Sequence, residues 1–239
     1  VSPTLEILGL SLLAGLAIPA GGLLARIEHI QPLWLERQLR HSIIAFAGGA
    51  LLSAVALVLV PDGIRDLSIL QAISAFGGGA LTFLLIDREL ARRKGPGAQL
   101  AAMLLDFVPE AMALGATFAV EPARGRLLAF LIGLQNLPEG FNAFREMTAP
   151  KRMRPGSVLR FFLLLSLLGP IAAGAGLAFL AGQGAVLGFI MVFAAGGILY
   201  LIFQDIAPAV PLENRRTPAL GAVAGFLLGL VGQMLAGGP

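Results

Sequence analysis

Cysteine is absent from this 239-residue chain, histidine occurs only twice, and tryptophan and tyrosine once each. Without thiols, disulfides, thiolate metal sites and cysteine catalysis are excluded. Charge is scarce too: 13% of residues are Asp, Glu, Lys or Arg, about half the share carried by an ordinary soluble domain. The ten-residue alternating segments of a transmembrane β-barrel are missing. The N-terminal stretch has no positive n-region and no small-residue cleavage motif, so it is expected to be a first retained helix and not a signal peptide.

What is abundant is apolar length. Hydrophobic residues make up 57% of the chain and the mean hydropathy is +0.86. They fall in runs of about twenty, enough for a helix to cross a bilayer. Eight spans are expected, near residues 4–25, 42–61, 68–87, 99–120, 127–147, 158–181, 184–208 and 217–237. Lipid forces each span to satisfy its own backbone, so the expected fold is an all-α integral membrane protein, one transmembrane domain over residues 1–239.

The charges give an orientation. Fourteen of the 17 Lys and Arg residues lie in or beside the loops joining spans 1–2, 3–4, 5–6 and 7–8. Only Arg65, Arg124 and Arg126 lie on the other side, with both termini. The positive-inside rule then puts both termini outside and the basic loops in the cytoplasm, as in a bacterial inner membrane. The pI near 10.2 thus reflects membrane topology, with the lipid bilayer as partner and no nucleic acid.

An internal echo links spans 2 and 7: Ala47-Gly48-Gly49 before Pro61 resembles Ala195-Gly196-Gly197 before Pro208. Spans five apart run in opposite directions. Spans 1–3 and 6–8 are therefore expected to form an inverted repeat around spans 4–5, an arrangement that places a transporter's binding site at the midplane. Small-residue motifs also serve plain helix packing, and Gly77-Gly78-Gly79 in span 3 permits close contact within a subunit or across a homodimer.

The concentrated chemistry lies in spans 4 and 5. Asp106, Pro109 and Glu110 repeat the spacing of Gln135, Pro138 and Glu139: an oxygen-bearing side chain, proline three residues on, glutamate four residues on. Each i, i+4 pair shares one helix face. Three acids at mid-membrane depth would oppose insertion by about 8 kcal/mol if unpaired, and no Lys or Arg stands at that depth in either span. Protons, water or a cation must supply the balance, and intramembrane ionisable residues are functional-site candidates by default. The prolines free the Leu105 and Leu134 carbonyls, a further source of oxygen ligands. Carboxylate and amide oxygens suit divalent cations such as Mn²⁺ or Mg²⁺, and Fe²⁺ and Zn²⁺ also accept them.

At these residues the sequence resembles the ZIP (zinc/iron-regulated transporter-like) metal transporter family. Gln135-Asn136-Leu137-Pro138-Glu139-Gly140 is similar to its fifth-helix signature, and Pro109-Glu110 followed by Ala113 to Ala119 to its fourth-helix counterpart. The stretch Phe193 to Pro208 is similar to its seventh helix. The resemblance implies a metal site between helices 4 and 5, with Asp106, Glu110, Gln135 and Glu139 as ligands and Asn136 as a remnant of a second position. It also implies a divalent metal (zinc, iron, manganese or similar) as the transported substrate, with helices 1, 4, 5 and 6 moving against the others. Three positions depart from the pattern: Asp106 replaces the usual His, Phe107 a small polar residue, and Gly169 a Glu before Pro170. One full metal site with altered selectivity is therefore expected.

Asp62 and Asn142, with Gln204 and Asp205, are candidate pathway residues toward the two surfaces. His29 and His41 fall in the first basic loop, where metal hand-off competes with a bystander role. Two other classes remain open: an intramembrane enzyme, against which stands the lack of a His-Glu-x-x-His motif, and a metal-binding membrane protein that does not transport.

Overall fold

The computed structural model describes residues 2–27, 33–93, 97–149, 153–210 and 216–236. His29 and Lys94 lie outside them, as does the side chain of Asp106. The described residues form helices and contain no strand. They group into eight rods: α1 (Pro3–Ile27), α2 (Leu33–Ala54, with a π turn Val55–Leu59 and a last turn Val60–Gly63), α3 (Ile69–Arg93) and α4 (Gly97–Val120), then α5 (Pro122–Met147), α6 (Pro155–Ser166 and Leu168–Phe179), α7 (Gly184–Leu201, a π turn Ile202–Ile206, then Ala207–Ala209) and α8 (Thr217–Leu235).

Among the described residues, six of these helices are long and apolar enough to cross a membrane: all but α4 and α5. In α4 the side chains are described continuously only over Phe107–Val120, and that stretch is apolar. α4 and α5 carry Glu110 and the polar series Gln135, Asn136, Glu139 and Asn142. The other helices pack around them.

Glycine decides which helices pack closely. A Cβ on Gly21 would overlap the Leu137 carbonyl, and one on Gly140 the Ile18 carbonyl, so α1 and α5 meet backbone to backbone. The pair α6–α4 does the same through Gly115 against Ala173 and Gly176 against Met112. In α2–α8 Gly49 meets Ala222 and Gly225 meets Phe46; in α3–α7 Gly196 meets Phe76 and Gly79 meets Phe193. Four interfaces thus share one reciprocal construction, small residues letting backbones approach.

The spacing is shared as well. Phe46, Gly49, the π turn Val55–Leu59 and Pro61 stand at the same intervals as Phe193, Gly196, the π turn Ile202–Ile206 and Pro208. In each π turn a backbone N–H reaches five residues back, Val60 to Val55 and Ala207 to Ile202. Such turns re-satisfy backbone groups near a proline that donates none. The counterpart of Gly49 is therefore Gly196, one residue away from the Gly49–Gly197 match that the Ala-Gly-Gly echo gives.

In the triplet Gly77-Gly78-Gly79 only Gly79 abuts another backbone; a Cβ on Gly77 would meet nothing within 4 Å. Gly79→Ala and Gly196→Ala are expected to cost about 1–3 kcal/mol by overpacking, while Gly77→Ala leaves stability unchanged. Thermal unfolding in detergent micelles checks the contrast.

Candidate functional site

The spacing that makes α4–α6 and α1–α5 alike also fixes how α4 and α5 meet. Met112 and Gly115 play the part in α4 that Leu137 and Gly140 play in α5. By that register the counterpart of Glu110 is Gln135. Laid antiparallel, the two i, i+4 pairs give the same meeting, the last member of one beside the first member of the other. The structure follows the packing register: Gln135 Nε2 donates a 2.6 Å hydrogen bond to Glu110 Oε2.

Both side chains are buried, Glu110 at 0% exposure and Gln135 at 1%. Gln135 Oε1 is also buried and has no hydrogen-bond partner among the described residues. A buried amide oxygen in that condition costs about 1–3 kcal/mol unless something comes to it. Next to a carboxylate, that something is a proton donor or a cation. Among the described residues no three His, Cys, Asp or Glu side chains come together as a ready metal cage.

The other expected site residues separate by depth. Asp106 lies on α4 one turn before Glu110, and Glu139 on α5 one turn after Gln135, about 6 Å along each axis. Because α4 and α5 are antiparallel, both steps lead away from the face that carries the termini. Glu139 lines a cavity of about 1030 Å³ between α5, α2 and α7, together with Asn142, Gln204 and Asp205, all three of them expected pathway residues. His41, Arg40 and Arg145 line it as well. Asn136 is 2% exposed and its Nδ2 donates 2.9 Å to the Ala14 carbonyl, tying α5 to α1.

Phe107 explains why the site is narrow. It is 2% exposed, and a Cβ at Gly15 or Gly169 would stand 3.1 or 3.0 Å from its ring carbon Cζ. The ring occupies the gap between α1 and α6 that two glycines leave.

Asp62 is placed differently from the expectation of a cation-gathering residue on the pathway. Its carboxylate binds Arg124 from α5 and, at 3.1 Å, Arg65. Arg124 Nε also lies 3.0 Å from Glu121. This cross-helix group went unnoticed in the sequence, though a signal was there. Arg65, Arg124 and Arg126 are the three basic residues that break the loop-charge alternation, and each is ion-paired, Arg126 with Glu6 at 2.7 Å. On the opposite face, Tyr200 donates to Asp87 at 3.0 Å and joins α7 to α3. A separate hollow of about 500 Å³ between α2, α7 and α8 is lined only by apolar residues and carries no site chemistry.

Asn136→Ala is expected to lower stability by about 1–3 kcal/mol, through loss of the bond to the buried Ala14 carbonyl, without changing affinity for a divalent cation. Isothermal titration beside thermal unfolding separates this structural role from that of a metal ligand.

Comparison of the chain with known protein-family models and with curated proteins found no match, so its function is argued from these residues alone.

Proposed function

We propose that the chain is an eight-span membrane transporter that carries a divalent metal cation toward the cytoplasm, through a midplane site between α4 and α5. One observation carries this reading. A fully buried carboxylate, Glu110, is joined to a buried amide, Gln135, whose oxygen has no hydrogen-bond partner among the described residues, one turn from a wide polar cavity. A structural polar network would be expected to satisfy every member. A substrate site presents ligands at the bottom of a water-filled path.

The remaining features support the same reading. Reciprocal glycine contacts at matched spacing fit an inverted repeat of spans 1–3 and 6–8 around spans 4–5, with Glu110 and Gln135 facing each other across its axis. Charge bias puts the termini outside and the cavity on the cytoplasmic side, in a cell membrane of the bacterial inner-membrane type. Glu110, Gln135, Glu139 and Asp106 form the ligand set, and Glu139 with Asn142, Gln204 and Asp205 lines the way to the cytoplasm. Oxygen donors of this kind admit zinc, iron, manganese or a similar ion as substrate. The resemblance to ZIP transporters in the α4 and α5 motifs agrees with this. The chain is not read as an enzyme, because the site has no nucleophile–base pair.

Purified protein in liposomes, loaded with a metal-sensitive dye and offered Mn²⁺, Fe²⁺ or Zn²⁺, is expected to show flux that Glu110→Ala and Glu139→Ala each abolish. Metal-dependent thermal stabilisation, lost in Glu110→Ala, places the ligand. Stabilisation without flux would instead identify a non-transporting metal-binding protein.

A further inference from the structure

The glycine contacts divide the eight helices into two packs. Every glycine whose Cβ would meet a backbone atom of another helix does so within α1, α4, α5 and α6 or within α2, α3, α7 and α8, among the described residues. Between the packs, glycine positions meet only side-chain tips, Leu131 at Gly229 and Leu127 at Gly232. Backbone contact makes each pack stiff. The boundary between them, held by side chains, is where movement is cheapest.

That boundary differs at its two ends. On the face away from the termini it holds the cavity of about 1030 Å³. The matching register on the termini face replaces Glu139 by Leu114, Asn142 by Thr117 and Asp205 by Val58. These are buried, at 0%, 7% and 1% exposure, where their counterparts line the cavity. Over this closed half lies the Asp62–Arg124 ion pair. Asp62 belongs to one pack, at the tip of α2, and Arg124 to the other, in the first turns of α5. Their side chains are only 11% and 10% exposed. Glu121 holds Arg124 from its own pack, and Arg65 holds Asp62 from the other. Asp62 follows Pro61 as Ala209 follows Pro208, so the opposite face has no acid at the equivalent place.

We propose that Asp62–Arg124, braced by Glu121 and Arg65, is a one-sided latch that holds the passage shut on the termini face and must part before substrate is admitted there. This deepens, and rests on, the transport reading. The pair is stable while buried, because each charge neutralises the other. It is stable again once water has entered and hydrates both. Between these states the charges are separated without water, which is unfavourable, so the latch has two resting positions with a barrier between them.

The absence of cysteine allows a clean test with single introduced thiols. Ala194→Cys reports the closed half: Ala194 is 1% exposed and holds the place that Ala47 holds beside the cavity. Ile44→Cys reports the cavity itself. A polar maleimide is applied to the reconstituted protein without metal, in the wild-type, Arg124→Gln and Asp62→Asn backgrounds. Labelling at position 194 is expected to rise at least about tenfold in either variant, while labelling at position 44 holds or falls, and Arg124→Lys is expected to restore slow labelling. Unchanged labelling at 194 in both variants overturns the latch, and so does an equal rise at both reporters, which marks general loosening. Flux of Mn²⁺ is measured on the same vesicles. Flux that needs Glu110 together with unchanged labelling sinks the latch alone, and absence of such flux sinks the transport reading whatever the thiols do.

Discussion

A carboxyl group with no exposed surface stands at the centre of this protein, held by an amide from the antiparallel neighbouring helix. The contact between Glu110 and Gln135 sets the terms for everything around it. A polar pair at that depth is tolerable only inside a jacket of other helices, because lipid offers neither water nor counter-charge. The jacket is there: α4 and α5 carry the polar side chains, and the other helices pack around them. Gln135 Oε1 is left without a hydrogen-bond partner among the described residues. In the transport reading proposed above, that oxygen is the affinity a cation completes.

The second constraint is how closely backbones approach. Four reciprocal glycine interfaces, with further glycine contacts joining α1 to α6, α4 to α5 and α2 to α7, tie the helices into two packs, and between the packs glycine positions meet only side-chain tips. Stiffness within the packs and softness between them follow from one residue type used in a repeated spacing. The ion pairs and the cavity lie on that soft boundary, at opposite ends. An ion pair at one end and a polar cavity at the other give the asymmetry that the proposed alternating access requires, since both ends open together would be a channel.

Much of the fold was legible in the sequence, because lipid leaves few choices. Apolar runs and alternating loop charge foretold eight helical rods whose limits agree within a turn or so for most of them, α2 beginning earlier and α3 running longer. The meeting of the two polar pairs was legible too. Asp106-x-x-Pro-Glu and Gln135-x-x-Pro-Glu look like copies, and laid antiparallel they bring Glu110 to Gln135, where the packing glycines hold them. Side-chain grammar records chemistry, whereas register is fixed by where backbones touch, and here Gly115 and Gly140 fix it. Asn136 came forward as a ligand through the resemblance; the structure adds that its Nδ2 donates to a carbonyl on α1, a contact distant in sequence. The Asp62–Arg124 pair was hidden for the same reason, although three arginines on the sparsely charged side were a sign that acids lay near them.

The most direct measurement is anomalous diffraction from crystals soaked in Mn²⁺, which locates the ion without reference to activity. The expected result is a peak about 2.0–2.6 Å from both a Glu110 carboxylate oxygen and Gln135 Oε1, with the direct bond between the two side chains broken. A saturated crystal with Mn²⁺ only in the wide cavity among Glu139, Asn142 and Asp205, and the Glu110–Gln135 bond still intact, would contradict it.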